Sequence, residues 1–181
     1  MSRVTVVDPM TATGEAKQLL DAVQGALGMV PNFIRVLANS PAALNAFLGL
    51  HGIAGAGALD AKTRERIALS VAEQNACQYC VSAHTAIGRK AGLDSDEILA
   101  NRHGKSSDAK AEAALVFSRA LVDNLGQVTS AEFNAVRASG HSDAEIIEII
   151  THVAMNIFTN LLGKATEVEI DFPKIELSRA A

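Results

Sequence analysis

The chain has two cysteines, Cys77 and Cys80, and His84 follows one helical turn later in the segment Glu73-Gln74-Asn75-Ala76-Cys77-Gln78-Tyr79-Cys80-Val81-Ser82-Ala83-His84. At about 100° per residue the three side chains fall at about 0°, 300° and 340°, on one face of one helix, so they can meet. Asn75 and Ala76 interrupt the amphipathic pattern ahead of them. Cys77 is therefore expected in the first turn of a new helix, where unpaired backbone N–H groups and the helix dipole favour a thiolate. Three chemistries fit these residues. Two thiols three apart can close a small disulfide, with a thiolate as nucleophile and His84 moving protons. The same side chains can ligate zinc, but a structural site wants a fourth ligand, and only the distant His51, His103, His141 and His152 are left to supply it. Alternatively, both cysteines are small core hydrophobes and His84 is an ordinary histidine, a reading that the combined spacing weakens. A lone vicinal pair suits a reducing compartment, whereas a secreted scaffold spreads several cysteines along the chain.

Two carboxylates precede the pair. Glu73 stands four residues before Cys77 and would share its face if the helix ran unbroken, where a like charge would raise the thiol pKa. Glu65 stands twelve before Cys77, between Arg64 and Arg66, which by itself reads as a solvated ion pair. Spacing alone leaves the choice between them open. His51, after Leu48 and Leu50, could face the thiol pocket from a neighbouring helix, while His152 reads as a core or interface histidine. Met10, Met29 and Met155 read as gap-fillers. The glycine-rich stretch from Gly52 to Gly57 lacks the Lys-Ser/Thr and the preceding strand of a phosphate loop.

The elements that must position these residues are helices. Ala, Leu, Glu, Lys and Arg dominate the long segments and alternating runs of branched residues are nearly absent, so the expected class is all-α. Helices are expected near residues 13–27, 32–38, 41–54, 60–75, 77–91, 95–101, 108–125, 130–139 and 143–162. Their starts are marked by Ser40 before Pro41, by Asp60, and by the capping boxes Asp94/Glu97, Thr129/Glu132 and Ser142/Glu145. Their ends are marked by glycines, Gly28, Gly55, Gly57, Gly92, Gly126, Gly140 and Gly163. Arg3–Val7 and Val168–Phe172 are expected to lie extended on the surface. No linker-like stretch divides the 181 residues, so the expectation is one domain over 1–181, with its core at about 30–165 and a tail over 166–181. Helix 143–162 carries Ile146, Ile147, Ile149, Ile150, Val153, Ile157, Phe158, Leu161 and Leu162 around most of its circumference, which calls for central burial or a subunit contact. A homo-oligomer is expected.

Composition narrows the partners. A net charge of −4 and 4% aromatic residues give neither the basic face nor the stacking surface that nucleic acid requires, and no polybasic stripe for anionic lipid. The mean hydropathy of +0.18 is largely alanine, and no uninterrupted apolar run approaches the roughly 20 residues of a spanning helix. The opening residues MSRVTVVDPM show no basic region followed by an apolar one, so a cytoplasmic protein is expected.

The pattern Glu65, eleven residues, Cys77-x-x-Cys80, three residues, His84 resembles the active site of the alkylhydroperoxidase AhpD family, within the carboxymuconolactone decarboxylase-like superfamily. Val30-Pro31-Asn32-Phe33 with Ser40-Pro41 resembles that family's N-terminal helices, and Asn156-Ile157-Phe158 through Asp171-Phe172-Pro173 resembles its peroxidase-related branch, so the likeness spans roughly residues 30 to 173. The resemblance implies an AhpD-like helical bundle assembled as trimers or hexamers, with no cofactor or metal. By position, Cys80 would be the peroxidatic thiol and Cys77 the resolving thiol, with His84 and Glu65 relaying the proton. The implied activity is an antioxidant, thiol-dependent peroxidase that reduces a hydroperoxide and is recharged by an external dithiol or a lipoyl-bearing protein. One position departs from the pattern: AhpD carries histidine immediately before its second cysteine, and this chain has Tyr79. A phenol of ordinary pKa near 10 donates a hydrogen bond but is a feeble base at neutral pH. The rival expectations are a lactone decarboxylase, which has no evident use for vicinal thiols, and a non-catalytic zinc-binding or redox-sensing helical oligomer.

Overall fold

In the computed structural model, which describes residues 2–178, every regular element is a helix. In chain order these are α1 (Gly14–Leu27), α2 (Asn32–Leu37), α3 (Pro41–Gly55), α4 (Ala61–Gln74), α5 (Gln78–Lys90), α6 (Ser95–Arg102), α7 (Ala109–Asp123), α8 (Ser130–Ala138) and α9 (Asp143–Ala165). The side-chain caps explain the starts. Ser40, Asp60, Asp94, Asp108, Thr129 and Ser142 each accept the backbone N–H three residues on. Thr129/Glu132 and Ser142/Glu145 close full capping boxes. Asp94/Glu97 makes only half of one, because the Glu97 carboxylate is drawn instead to Arg66, Asn101, Ser106 and Ser107.

α4 is the central element. It packs on α5, α6, α7 and α9, and Ile67, Leu69, Val71 and Ala72 are fully shielded from solvent. Full burial of side chains of this size stabilises the fold by about 1.5–3 kcal/mol each for the larger ones. One core cluster joins Ile67 and Val71 to Leu115 and Phe117 of α7 and to Ile146, Ile149 and Val153 of α9. A second joins Phe33, Val36 and Leu44 to Cys77, Tyr79, Cys80 and Val81. The thiol pair is therefore built into a core rather than laid on a surface.

Residues 2–13 and 166–178 form no regular element and are bonded to the rest of the fold. The Arg3 N–H donates to the Thr166 carbonyl at 2.7 Å, and the Val7 N–H to that of Arg35 at 3.3 Å. Gly163 does not end α9 as its glycine signal implied. The helix continues to Ala165 and is stopped by Thr166 and by Glu167, whose φ is +50°. α9 is long and apolar enough, by length and composition alone, to cross a membrane, yet it buries His152, Asn156 and Asn160 along with its apolar side chains.

Candidate active site

The site begins with a backbone break. Ala76 adopts a φ of +52°, a conformation costly for a residue with a Cβ. It turns the chain out of α4 and starts α5 on a new axis, with Cys77 as N-cap. The Cys77 Sγ accepts the Cys80 N–H at 3.4 Å. The two sulfurs are joined as a disulfide, with Cα atoms 5.3 Å apart. Both residues are buried, at 1% and 4% exposure, so the sulfurs meet protein on most sides. Gly163 of α9 forms one wall: a Cβ there would lie 3.3 Å from the Cys77 Sγ and 3.8 Å from the Cys80 Sγ. Glycine at this point lets α9 approach the sulfurs, a role that its reading as a helix stop concealed.

His84, one turn beyond Cys80 on α5, has Nδ1 2.8 Å from the Glu65 Oε2 on α4. Both side chains are mostly shielded, at 22% and 16% exposure. A carboxylate on Nδ1 fixes the ring's orientation and leaves Nε2 outside this contact. Glu65 is thus not the solvated partner of its neighbouring arginines. The Arg66 Nε pairs with Glu97 at 2.8 Å, and the Arg64 Nη1 donates to the Leu59 carbonyl at 2.6 Å. Glu73 is held away from the thiols, with Oε2 2.7 Å from the Arg102 Nε and Oε1 accepting the Ser178 N–H at 2.6 Å.

Further histidines frame the site from α3 and α9. The His51 ring lies 5.7 Å from that of Phe47, centroid to centroid. Its pKa is held below the ordinary imidazole value by loss of solvent and by the nearby His84, with Glu65 opposing. His152 is buried, and burial likewise lowers its pKa; its Nε2 has no hydrogen-bond partner among the described residues. His103 and His141 are not drawn to the thiols, and no group of three or more His, Cys, Asp or Glu side chains suited to a metal occurs among the described residues.

The Tyr79 hydroxyl is engaged by groups other than the sulfurs. Its hydroxyl donates to the Asp171 Oδ1 at 2.9 Å and accepts the Phe33 N–H at 3.2 Å. Burial above all, with the Asp171 charge in support, pushes the phenol far above its ordinary pKa, against the opposing hydrogen bond from Phe33. Aromatic rings gather here: Phe47 lies 5.5 Å from Phe33 and 6.3 Å from Phe158, and Tyr79 lies 6.0 Å from Phe33 and 5.9 Å from Phe172. Five of the chain's seven aromatic residues thus form one run beside the disulfide. Composition counted them as few, and only the packing shows their concentration.

The described residues thus form an AhpD-like helical fold with a buried Cys-x-x-Cys disulfide and a Glu–His pair one turn along the chain. Residues 41–123, from α3 through α7, match the carboxymuconolactone decarboxylase family. The chain is similar to the AhpD core of a peroxidase-related protein from Ralstonia eutropha JMP134, with 27% identity, a TM-score of 0.82, and coverage of 94% of this chain and 92% of that one. It is also similar to a peroxidase-related protein from Silicibacter sp. TM1040, at 26% identity and a TM-score of 0.80, over 93% of this chain and 91% of that one. A debrominase, Bmp8, solved with 2,3,4-tribromopyrrole, shares the fold at 22% identity and a TM-score of 0.78 over 94% of both chains. No curated protein matches the chain.

Proposed function

We propose that the protein is a thiol-dependent peroxidase, in which Cys80 is the peroxidatic thiol, Cys77 the resolving thiol, and the His84–Glu65 pair the proton relay. The observation that carries this reading is the disulfide itself, closed one turn from a hydrogen-bonded imidazole–carboxylate pair. In the first step the Cys80 thiolate attacks the distal peroxide oxygen. The O–O bond breaks, the sulfur is oxidised to sulfenic acid, and the leaving alkoxide takes a proton delivered through His84. In the second step the Cys77 thiol attacks the sulfenic sulfur, the S–S bond forms and water leaves. An external dithiol, free or on a lipoyl-bearing protein, then returns two electrons and two protons. The likeness of more than nine-tenths of the chain, at 93% and 94% coverage, to peroxidase-related AhpD-core proteins supports the reaction class. A decarboxylase of the kind that names the family would leave the two sulfurs unused, and its activity would survive replacement of both cysteines by serine.

The test is direct. Reduced protein given one equivalent of an organic hydroperoxide is expected to lose two hydrogens in intact mass. Cys77→Ser is expected to stop at a dimedone-trappable sulfenic acid, and Cys80→Ser to leave the peroxide unconsumed. An unchanged wild-type mass would overturn the reading.

A further inference from the structure

The C-terminal segment 171–178 is bonded to one side of α5, and its bonds fall on the turn that carries the cysteines. The Tyr79 hydroxyl donates to the Asp171 Oδ1, while Asp171 Oδ2 accepts the Asn32 N–H at 2.7 Å, so one carboxylate ties α5 to the start of α2. The Gln78 side-chain amide donates to the Ile175 carbonyl at 3.2 Å and to Glu176 at 2.8 Å. The Ile175 N–H donates to the Ser82 Oγ at 3.0 Å. The far end is held by Arg102, which donates to the Glu176 carbonyl at 2.6 Å and to the Ser178 Oγ at 2.9 Å.

Gln78, Tyr79 and Ser82 lie within about 100° of one another around α5, and Cys80 falls at least about 100° from all of them. The segment therefore grips the turn from the side away from Cys80. What it controls is backbone freedom. A Cys-x-x-Cys disulfide forms readily to the extent that the two thiols of the reduced protein already sit where the bond will be, because each degree of freedom frozen beforehand need not be frozen on closure. With the turn held at Gln78, Tyr79 and Ser82, the Cys77 Sγ stays over the Cys80 N–H and the thiols stay in register.

We infer that Tyr79 and Asp171 form a latch that positions the reduced cysteines for ring closure and so sets how strongly the protein holds its disulfide. Tyr79 is then a positioning residue whose hydroxyl never meets the substrate. This rests on the dithiol half of the proposed function and is independent of which peroxide is the oxidant. The exchange is balanced: two glutathione thiols give two electrons and two protons to the Cys77–Cys80 bond and leave as one glutathione disulfide.

The experiment equilibrates full-length wild type, Tyr79→Phe, Asp171→Ala and the double variant in glutathione redox buffers at neutral pH, with the dithiol fraction read by alkylation and mass. Each single variant is expected to weaken the disulfide about tenfold in equilibrium constant, the scale of one hydrogen bond to a charged group. The double variant is expected to match the singles, since both break the same contact. A purely structural role would lower the melting temperatures of the oxidised and reduced forms alike and leave the equilibrium within twofold of wild type; that result, or additive shifts, overturns the latch. A wild-type protein that does not interconvert between dithiol and disulfide would instead overturn the dithiol reading, and the latch with it.

Discussion

An imidazole beside a thiol serves as acid or base only if one nitrogen is fixed and the other is left free, and Glu65 supplies the fixing contact to His84 Nδ1 at 2.8 Å. Replacing His84 with Gln is expected to slow single-turnover oxidation of Cys80 by about 10²-fold or more, the usual range for a positioned acid–base group. Glu65→Gln, which keeps the shape and removes the charge, is expected to slow it by a smaller factor. Stopped-flow thiol oxidation under peroxide excess measures both, and equal rates for wild type and the two variants would remove the relay while leaving the dithiol intact. At this scale the pairing of the cysteines was legible. The three-residue spacing of Cys77 and Cys80 already put their sulfurs within reach of each other, because a contact within one turn depends on little outside it, although Cys77 caps α5 with extended backbone rather than lying inside its first turn. The partner carboxylate was not legible from spacing. Glu65 reaches His84, and Glu73 does not reach the thiols, because the left-handed Ala76 turns α5 off the axis of α4 and Arg102 holds Glu73 elsewhere. Sequence distance along an assumed straight helix contains neither fact.

Helix starts were readable because caps are local chemistry, and the nine expected segments correspond to α1–α9. What escaped were positions where one element answers to another. Gly163 carried a stop signal and instead admits the sulfurs. Glu97 carried a capping signal and instead knits α6 to α4 and to the loop before α7. Burial opposes its ionisation, but hydrogen bonds from Ser106, Ser107 and Asn101 overcome this and hold the carboxyl at about 2, down from an ordinary 4.5. Because the folded pKa is depressed, the contribution is present above about pH 4.5 and is lost as pH falls toward about 2. That shift corresponds to as much as about 3 kcal/mol of folding stability. Urea denaturation of the wild type is therefore expected to show a midpoint that drops over this window. Glu97→Gln is expected to be less stable at pH 7, since it leaves Arg66 buried without its charge partner, and to show a flatter profile in acid. Parallel profiles for the two proteins would show that Glu97 is not the group responsible.

Over the whole molecule, α9 resolves into two faces. Ile146, Ile149 and Val153 are buried against α4 and α7, while Ile147, Phe158 and Leu161 stay 62%, 41% and 65% exposed, beside Leu50 and Ile53 of α3 at 41% and 79%. Apolar side chains concentrated this way on an exposed protein surface mark an association site more often than an accident. The chain's near-circumferential apolar pattern on α9 was legible, but the division into a core face and an outer face was not, since it depends on where α4 and α7 sit. We expect this outer face to join copies of the chain, and the site gives a reason why assembly would matter. Phe158 of this outer face packs on the half-buried Phe47, which neighbours His51, so a second copy seated here would cover this side of the site and exclude water from the reacting oxygens. Sedimentation velocity is expected to show a species heavier than the 18.9 kDa chain at micromolar concentration. Ile53→Lys and Leu161→Lys, which place charge on the outer face without touching the thiols, are expected to yield folded monomers whose Cys80 oxidises several-fold more slowly. A monomeric wild type would exclude the assembly, and monomeric variants with undiminished oxidation rates would separate assembly from the chemistry.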